Sequence, residues 1–183
     1  MNLPAPPDWC VGNVGPRDAR FLQQTIFAKK PRLVVEIGVA SGYSSAVILN
    51  ALARLPCDLD KTPCLHSFDI ASTCYFDSSR RVGSAVKELI GEPPNWFLHM
   101  GKNAWEAGQS LPAEGAEIAF IDADHRHPFA TIDLIALIPC LATGAEVILH
   151  DVRLPKLSHE YANCRGPKTL FSVWEGEKWE DEE

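Results

Sequence analysis

With 183 residues, 46% of them hydrophobic, the chain can bury the core of one ordinary domain. A net charge of −7 and a pI near 5.4, without any basic stripe, exclude nucleic acid and anionic membrane as default partners. The longest apolar zone, Ile132 to Leu149, is interrupted by Asp133, Pro139, Gly144 and Glu146 and does not read as a membrane span.

The first fifteen residues, with prolines and an acid, lack the basic start and apolar core of a signal peptide. A helix is predicted over "GPRDARFLQQTIFAKK", with Pro16 early and lysines in its last turn. "RLVVEI" is a continuous apolar strand, and "YSSAVILNALARL" a helix closed by Pro56. "CLHSFDI" is a second strand, "SRRVGSAVKELI" a helix ended by Gly91, and "NWFLHM" a third strand. A short helical piece around "NAWEAGQSL" leads to a fourth strand, "AEIAFIDAD". "PFATIDLIALIPCL" is a helix, "AEVILHDV" a fifth strand, and "GPKTLFSVWEGEKW" one more amphipathic helix whose Trp174 and Trp179 bury one face. The six cysteines (Cys10, Cys57, Cys64, Cys74, Cys140, Cys164) show no C-x-x-C pair. Reduced thiols and a cytoplasmic location are expected, although Cys57 and Cys64 bracket a loop that could bring them together.

Strands that are apolar on both faces and alternate with helices define an α/β class. The expectation is a doubly wound, mainly parallel sheet with helices on both faces. The expected organisation is a lead-in over 1–15, one domain over 16–152, and a C-terminal loop, helix and acidic tail over 153–183. In such sheets ligands sit beyond the carboxyl ends of the strands. Those ends carry Glu36 with Gly38, Asp69, His99, Asp122 with Asp124, and His150 with Asp151.

At "EIGVASGY" the two glycines permit a tight turn and close approach of backbone to a ligand. The G-x-x-x-G spacing is not the G-x-G-x-x-G of a pyrophosphate site, and Glu36 would repel a pyrophosphate while attracting a cationic ligand. Glycine required for turn geometry alone is the competing explanation. Asp69 is placed to accept hydrogen bonds from a ribose diol or, more simply, to cap the next segment.

Together these residues resemble the class I S-adenosylmethionine-dependent methyltransferases, with a Rossmann-like sheet. The resemblance implies a cofactor site built from Glu36, Gly38, Ser41, Gly42, Tyr43 and Asp69, with Asp122 beside it. The loop from Gly101 would lie against the adenine through Asn103, Ala104 or Trp105, since Lys102 stands where many members have an acid. "FIDADHRHPF" followed by "GAEVILHDV" is similar to the metal-linked small-molecule O-methyltransferases. That branch implies Asp122, His150 and Asp151 as ligands of a divalent cation such as magnesium, and Asp122 or His125 as the base. His150 in place of an acid leaves the choice of metal open. N-capping by "DADHRHP" and a satisfied strand-end pair at "HDV" are the plainer alternatives.

The expected activity is methyl transfer from S-adenosylmethionine to a hydroxyl of a small molecule. A catalytically weakened cofactor-binding or scaffold protein is the alternative, and a dinucleotide-dependent oxidoreductase the less favoured one. After Val152 no strand pair is read, where this fold usually adds one. A natural short form, a fragment, or a sheet edge completed in a homodimer would each account for that.

Overall fold

The computed structural model describes residues 5–56 and 62–180; Cys57 and the last acidic residues of the tail lie outside them. Helix α1 (Pro16–Lys29) opens with proline at its first position. There the missing N–H is one the helix could not have used. The Asp18 carboxylate accepts the Gly15 N–H at 3.0 Å and closes that end. Strand β1 (Leu33–Ile37) is buried throughout, as a central parallel strand must be. Helix α2 (Tyr43–Leu52) follows, then β2 (Cys64–Asp69). A small hairpin, β3 (Thr73–Cys74) and β4 (Asp77–Arg81), precedes α3 (Ser84–Ile90) and β5 (Trp96–Met100). A 3-10 turn over Ala104–Gln109 leads to β6 (Ala116–Ile121), α4 (Phe129–Leu137) and β7 (Leu141–Leu149). Short helices α5 (Leu154–Leu157) and α6 (Gly166–Val173) end the described chain, and among the described residues after Val152 no strand forms.

The sheet has the order β5-β2-β1-β6-β7, and every adjacent pair is parallel. The chain winds outward from β1 through β2 to β5, then returns to β6 and β7, so the order reverses between β1 and β6. That crevice is where a doubly wound sheet binds ligands. Alternation along β1 splits the core. Val34 packs with Leu65, Ile118 and Phe120 beneath α1 and α2, while Val35 and Ile37 pack with Phe68, Ile121 and Leu137 on the other face.

Two helices differ most from their predicted spans. The segment from Ser79 to Arg81 belongs to β4, and α3 starts only at Ser84. The intervening Gly83 has φ of 80° and its N–H is held by Ala40 O, so a continuous helix is broken there. The last helix stops at Val173 because Trp174 turns extended and Lys178 Nζ caps the free carbonyls of Phe171, Ser172 and Trp174. Trp174 and Trp179 therefore do not share a buried helical face; they are 47% and 58% exposed.

Candidate active site

The register places the β1–α2 turn directly against the end of β6. Asp122 N–H donates to Ile37 O at 2.8 Å, and Gly38 N–H to Phe68 O at 2.9 Å. At Gly38, with φ of 89°, a Cβ would lie 2.2 Å from Asp122 O, so only glycine fits. Gly42 is similarly confined: its Cβ would meet Gly83 Cα at 2.7 Å.

Both strand-end acids serve this turn. Asp69 Oδ2 accepts the N–H groups of Val39 and Ala40, each at 3.0 Å, and Oδ1 accepts that of Ala71 at 2.8 Å. A carboxylate has about four lone-pair sites, so Asp69 keeps room for one further donor such as a ribose hydroxyl. Glu36 departs from the expected direct contact with a cationic ligand. Its side chain lies beneath the turn, 0% exposed, and accepts hydrogen bonds from Ser44, Ser45 and Ser67, each at 2.6 Å. Burial pushes its pKa up to about 7, and the serine hydroxyls pull the other way. Tyr43 and Ser41 are likewise buried, and Tyr43 packs in the core under α2 rather than lining an open wall. In the third loop Asn103 Oδ1 caps the 3-10 turn by accepting Trp105 N–H at 2.9 Å. Ala104 is buried, whereas Gly101 and Trp105 are exposed beside the end of β5.

Asp122, His125, His150 and Asp151 converge on one point, with candidate ligand atoms all within 4.8 Å of one another. His150 Nδ1 is 2.9 Å from Asp122 Oδ1 and 3.5 Å from Asp151 Oδ2. His125 Nε2 lies 3.0 Å from Asp151 Oδ2 and 3.3 Å from Asp122 Oδ1, yet aligns a hydrogen bond with neither. Burial pushes both imidazoles down, but the carboxylates outweigh it. Asp122 and Asp151 lift His125 to about 9, and Asp122 with Asp18 lifts His150 to about 10. Burial would raise Asp122, but His125 and His150 hold it below its usual value. Two carboxylates facing two imidazoles thus demand positive charge. Two imidazolium protons supply it, and so would one divalent cation. The unaligned, buried His125 Nε2 and the mixed oxygen and nitrogen donors fit such an ion.

Of the other strand-end candidates, Asp124 is withdrawn from the cluster by Arg126, whose Nε donates to both of its oxygens. His66 is buried as a core histidine, 3.1 Å from His99 Nε2. Sequence reasoning missed Asp18. Its Oδ2 lies 3.6 Å from His150 Nε2, so α1 braces the imidazole on the side away from Asp122. An acid in a first helical turn signals capping, and nothing local links it to a strand more than a hundred residues later. It also missed Tyr75 at the hairpin tip. Burial raises its hydroxyl pKa, with the Asp122 and Asp151 charges adding to the shift, and that hydroxyl reaches Val11 O at 3.4 Å.

A parallel sheet reversing at a glycine turn, with an acid on each flanking strand end, defines a class I methyltransferase architecture. Residues 35–152 match the methyltransferase domain family, and the chain belongs to it. No curated protein matches the chain by sequence. Solved structures agree in fold. Cofactor-bound Rv0187 from MTB superposes with a TM-score of 0.66 at 17% identity, over 93% of this chain and 73% of that one. The O-methyltransferase TomG from Streptomyces achromogenes, in complex with SAM and involved in tomaymycin synthesis, gives 0.64 at 19%, over 88% and 69%. The O-methyltransferase from Bacillus cereus in complex with SAH gives 0.60 at 17%, over 91% and 73%. None of the described helices is long and apolar enough to cross a membrane.

Proposed function

We propose that the protein transfers a methyl group from S-adenosylmethionine to a hydroxyl of a small molecule, with a divalent cation at the acid–imidazole cluster. The observation that carries this reading is adjacency: Asp122 both packs on Gly38 of the cofactor turn and belongs to the cluster of four.

The turn at 38–42, Asp69 and the loop from Gly101 would hold the cofactor, which supplies an electrophilic methyl group. Asp122, His150 and Asp151, with His125 beside them, would hold the cation, which lowers the pKa of a hydroxyl near it. The chain's own part is alignment and proton handling. The difficult requirement in such a displacement is a deprotonated oxygen held in line. Asp69 fixes the turn through two backbone amides, and Glu36 fixes the start of α2 through two serines, so the donor side is rigid. On the acceptor side, with a cation balancing the two carboxylates in place of the imidazolium protons, His125 would be neutral, and its Nε2 or the Asp122 carboxylate beside it would take the proton. Asp151 and Asp122 stabilise the imidazolium that results. Asp18 keeps the His150 ring turned with Nδ1 towards the cluster. The acidic balance of the chain favours a small neutral or cationic acceptor over nucleic acid. The five described cysteines are unpaired, which supports the cytoplasm as its compartment.

Calorimetric titration with S-adenosylhomocysteine, with and without magnesium or manganese and beside a nicotinamide dinucleotide control, tests the cofactor. Radiolabelled methyl transfer to a panel of catechols and sugar hydroxyls tests the reaction. Binding of S-adenosylhomocysteine alone, followed by cation-dependent labelling of a hydroxyl, is the expected result. Binding without turnover across the panel would favour the scaffold alternative, and binding of the dinucleotide alone would overturn the proposal.

A further inference from the structure

The mechanism above uses no residue after Asp151, yet a later one reaches the cluster through the backbone. His125 Nε2 is buried beside Asp122 and Asp151 but aligns a hydrogen bond with neither. The two carboxylates attract the imidazole without fixing its direction, so the main chain that carries the ring must set it. That main chain is the loop between β6 and α4. At its start Asp122 N–H is bonded to Ile37 O of β1. Within it, Asp124 Oδ1 accepts Arg126 N–H at 2.9 Å, and Arg126 O accepts Phe129 N–H at 2.9 Å. These internal contacts shape the loop but do not tie it to the rest of the protein. Gly166 makes that tie, donating its N–H to His125 O at 2.7 Å. The support is firm: Gly166 is buried at the start of α6, and Leu170, one turn on, is buried with Ala130, Leu134 and Leu137.

We infer that Gly166 is a positioning residue for His125. Its missing side chain lets α6 approach closely enough for its amide to hold the His125 carbonyl and aim the imidazole at Asp122 and Asp151. The inference rests on reading that cluster as the cation and acceptor site. A Cβ at position 166 would lie 2.7 Å from Arg126 O and 2.8 Å from His125 O. Both are main-chain atoms, which cannot swing aside as the tip of a side chain can. Carbon and oxygen settle at about 3.3 Å or more, so any other residue drives the loop and α6 apart by roughly half an ångström. The imidazole is borne by the Cα next to the held carbonyl, and the shift passes to Nε2, now 3.0 Å from Asp151 Oδ2 and 3.3 Å from Asp122 Oδ1. The cofactor turn is spared, because it meets β6 at Asp122, before the loop departs.

Gly166→Ala tests this, with His125→Ala and the double variant completing a cycle. Manganese affinity by calorimetry should fall about tenfold in Gly166→Ala, while S-adenosylhomocysteine affinity stays within about twofold. In the His125→Ala background the same substitution should cost less than about twofold, because no imidazole is left to misplace. The His125 ring resonances, assigned by their loss in His125→Ala, should move in Gly166→Ala, and those of His66 and His99 should stay. In the unmodified protein, manganese should slow hydrogen exchange of the Gly166 amide, since coupling between that contact and the cation site is reciprocal. This last measurement needs no folded variant. A folded Gly166→Ala with full manganese affinity, or with unmoved His125 resonances, overturns the proposal. So does a loss of affinity that persists in full without His125, which would make Gly166 a packing residue only. Gly166 exchange that ignores bound manganese overturns it too. If the unmodified protein binds no manganese, the cation reading fails instead, and the His125 resonances decide whether Gly166 positions the ring.

Discussion

Replacing Glu36 with glutamine should flatten the pH dependence of stability. The carboxyl is fully buried, and burial lifts its pKa from the ordinary 4.5 to about 7 against three serine donors. Between those values the folded chain holds a proton that the unfolded chain has released. The stabilisation is therefore complete below pH 4.5 and is lost as pH rises through 7. The gap corresponds to about 3 kcal/mol. With a urea m-value on the order of 2 kcal/mol per molar, the unmodified protein should lose about 1.2 M in its unfolding midpoint from this group between pH 5 and pH 8, since a little of the stabilisation is already gone at pH 5. Glu36→Gln keeps the shape, and the Ser45 and Ser67 hydroxyls can rotate to accept its amide. Ser67 already accepts Trp96 Nε1 at 3.0 Å and has a second lone pair to offer. Urea titrations of both proteins at both pH values give a double difference in which His125, His150 and every other titrating group cancel. Equal pH dependence in the two proteins would refute the reasoning. It would mean that the serine hydroxyls outweigh burial and that Glu36 is ionised throughout.

The other predictions divide the site by role. Asp69→Ala removes the acceptor of the Val39, Ala40 and Ala71 amides and should weaken S-adenosylhomocysteine binding about tenfold to a hundredfold by calorimetry. Asp151→Asn suits the positive φ of 58° at that position. It should leave S-adenosylhomocysteine affinity within about twofold, while lowering manganese affinity and turnover at least about tenfold. Asp18→Asn can still cap Gly15, so the thermal midpoint should barely move. Turnover should fall about tenfold or more, with an altered pH profile and unchanged cofactor KM, if Asp18 orients His150.

What the sequence disclosed depended on how local the signal was. The five main strands are written in runs that are apolar on both faces, and all five form one parallel sheet. The cluster of four could be anticipated because each member lies within four residues of a strand end, and parallel strands bring their ends together. The β3–β4 hairpin was hidden because "DSSRR" lacks the alternation of a buried strand; β4 pairs only with the two-residue β3, and none of its own residues is buried. The end of α6 was hidden for a different reason. The pattern continues through Trp174, but the stop comes from Lys178 folding back onto three carbonyls, a contact that helical periodicity cannot encode.

Glu36 and Asp69 show where reading an acid as a ligand contact goes too far. A turn that enters positive φ at Gly38, Ala40 and Gly42 cannot feed its amides into helix or sheet, so Val39 and Ala40 need acceptors from elsewhere. Asp69, ending the neighbouring strand, is the carboxylate within reach, and it meets that need with one oxygen while retaining capacity for a ligand. Glu36 is one residue short of the strand end, and the pleat turns it inward, where Ser44, Ser45 and Ser67 replace water. The same acidic group at nearly the same height in the sheet therefore has two functions, decided by which face of its strand it occupies. Asp69 can both shape the turn and touch what the turn binds, and Glu36 can act on a ligand only through the rigidity it gives α2.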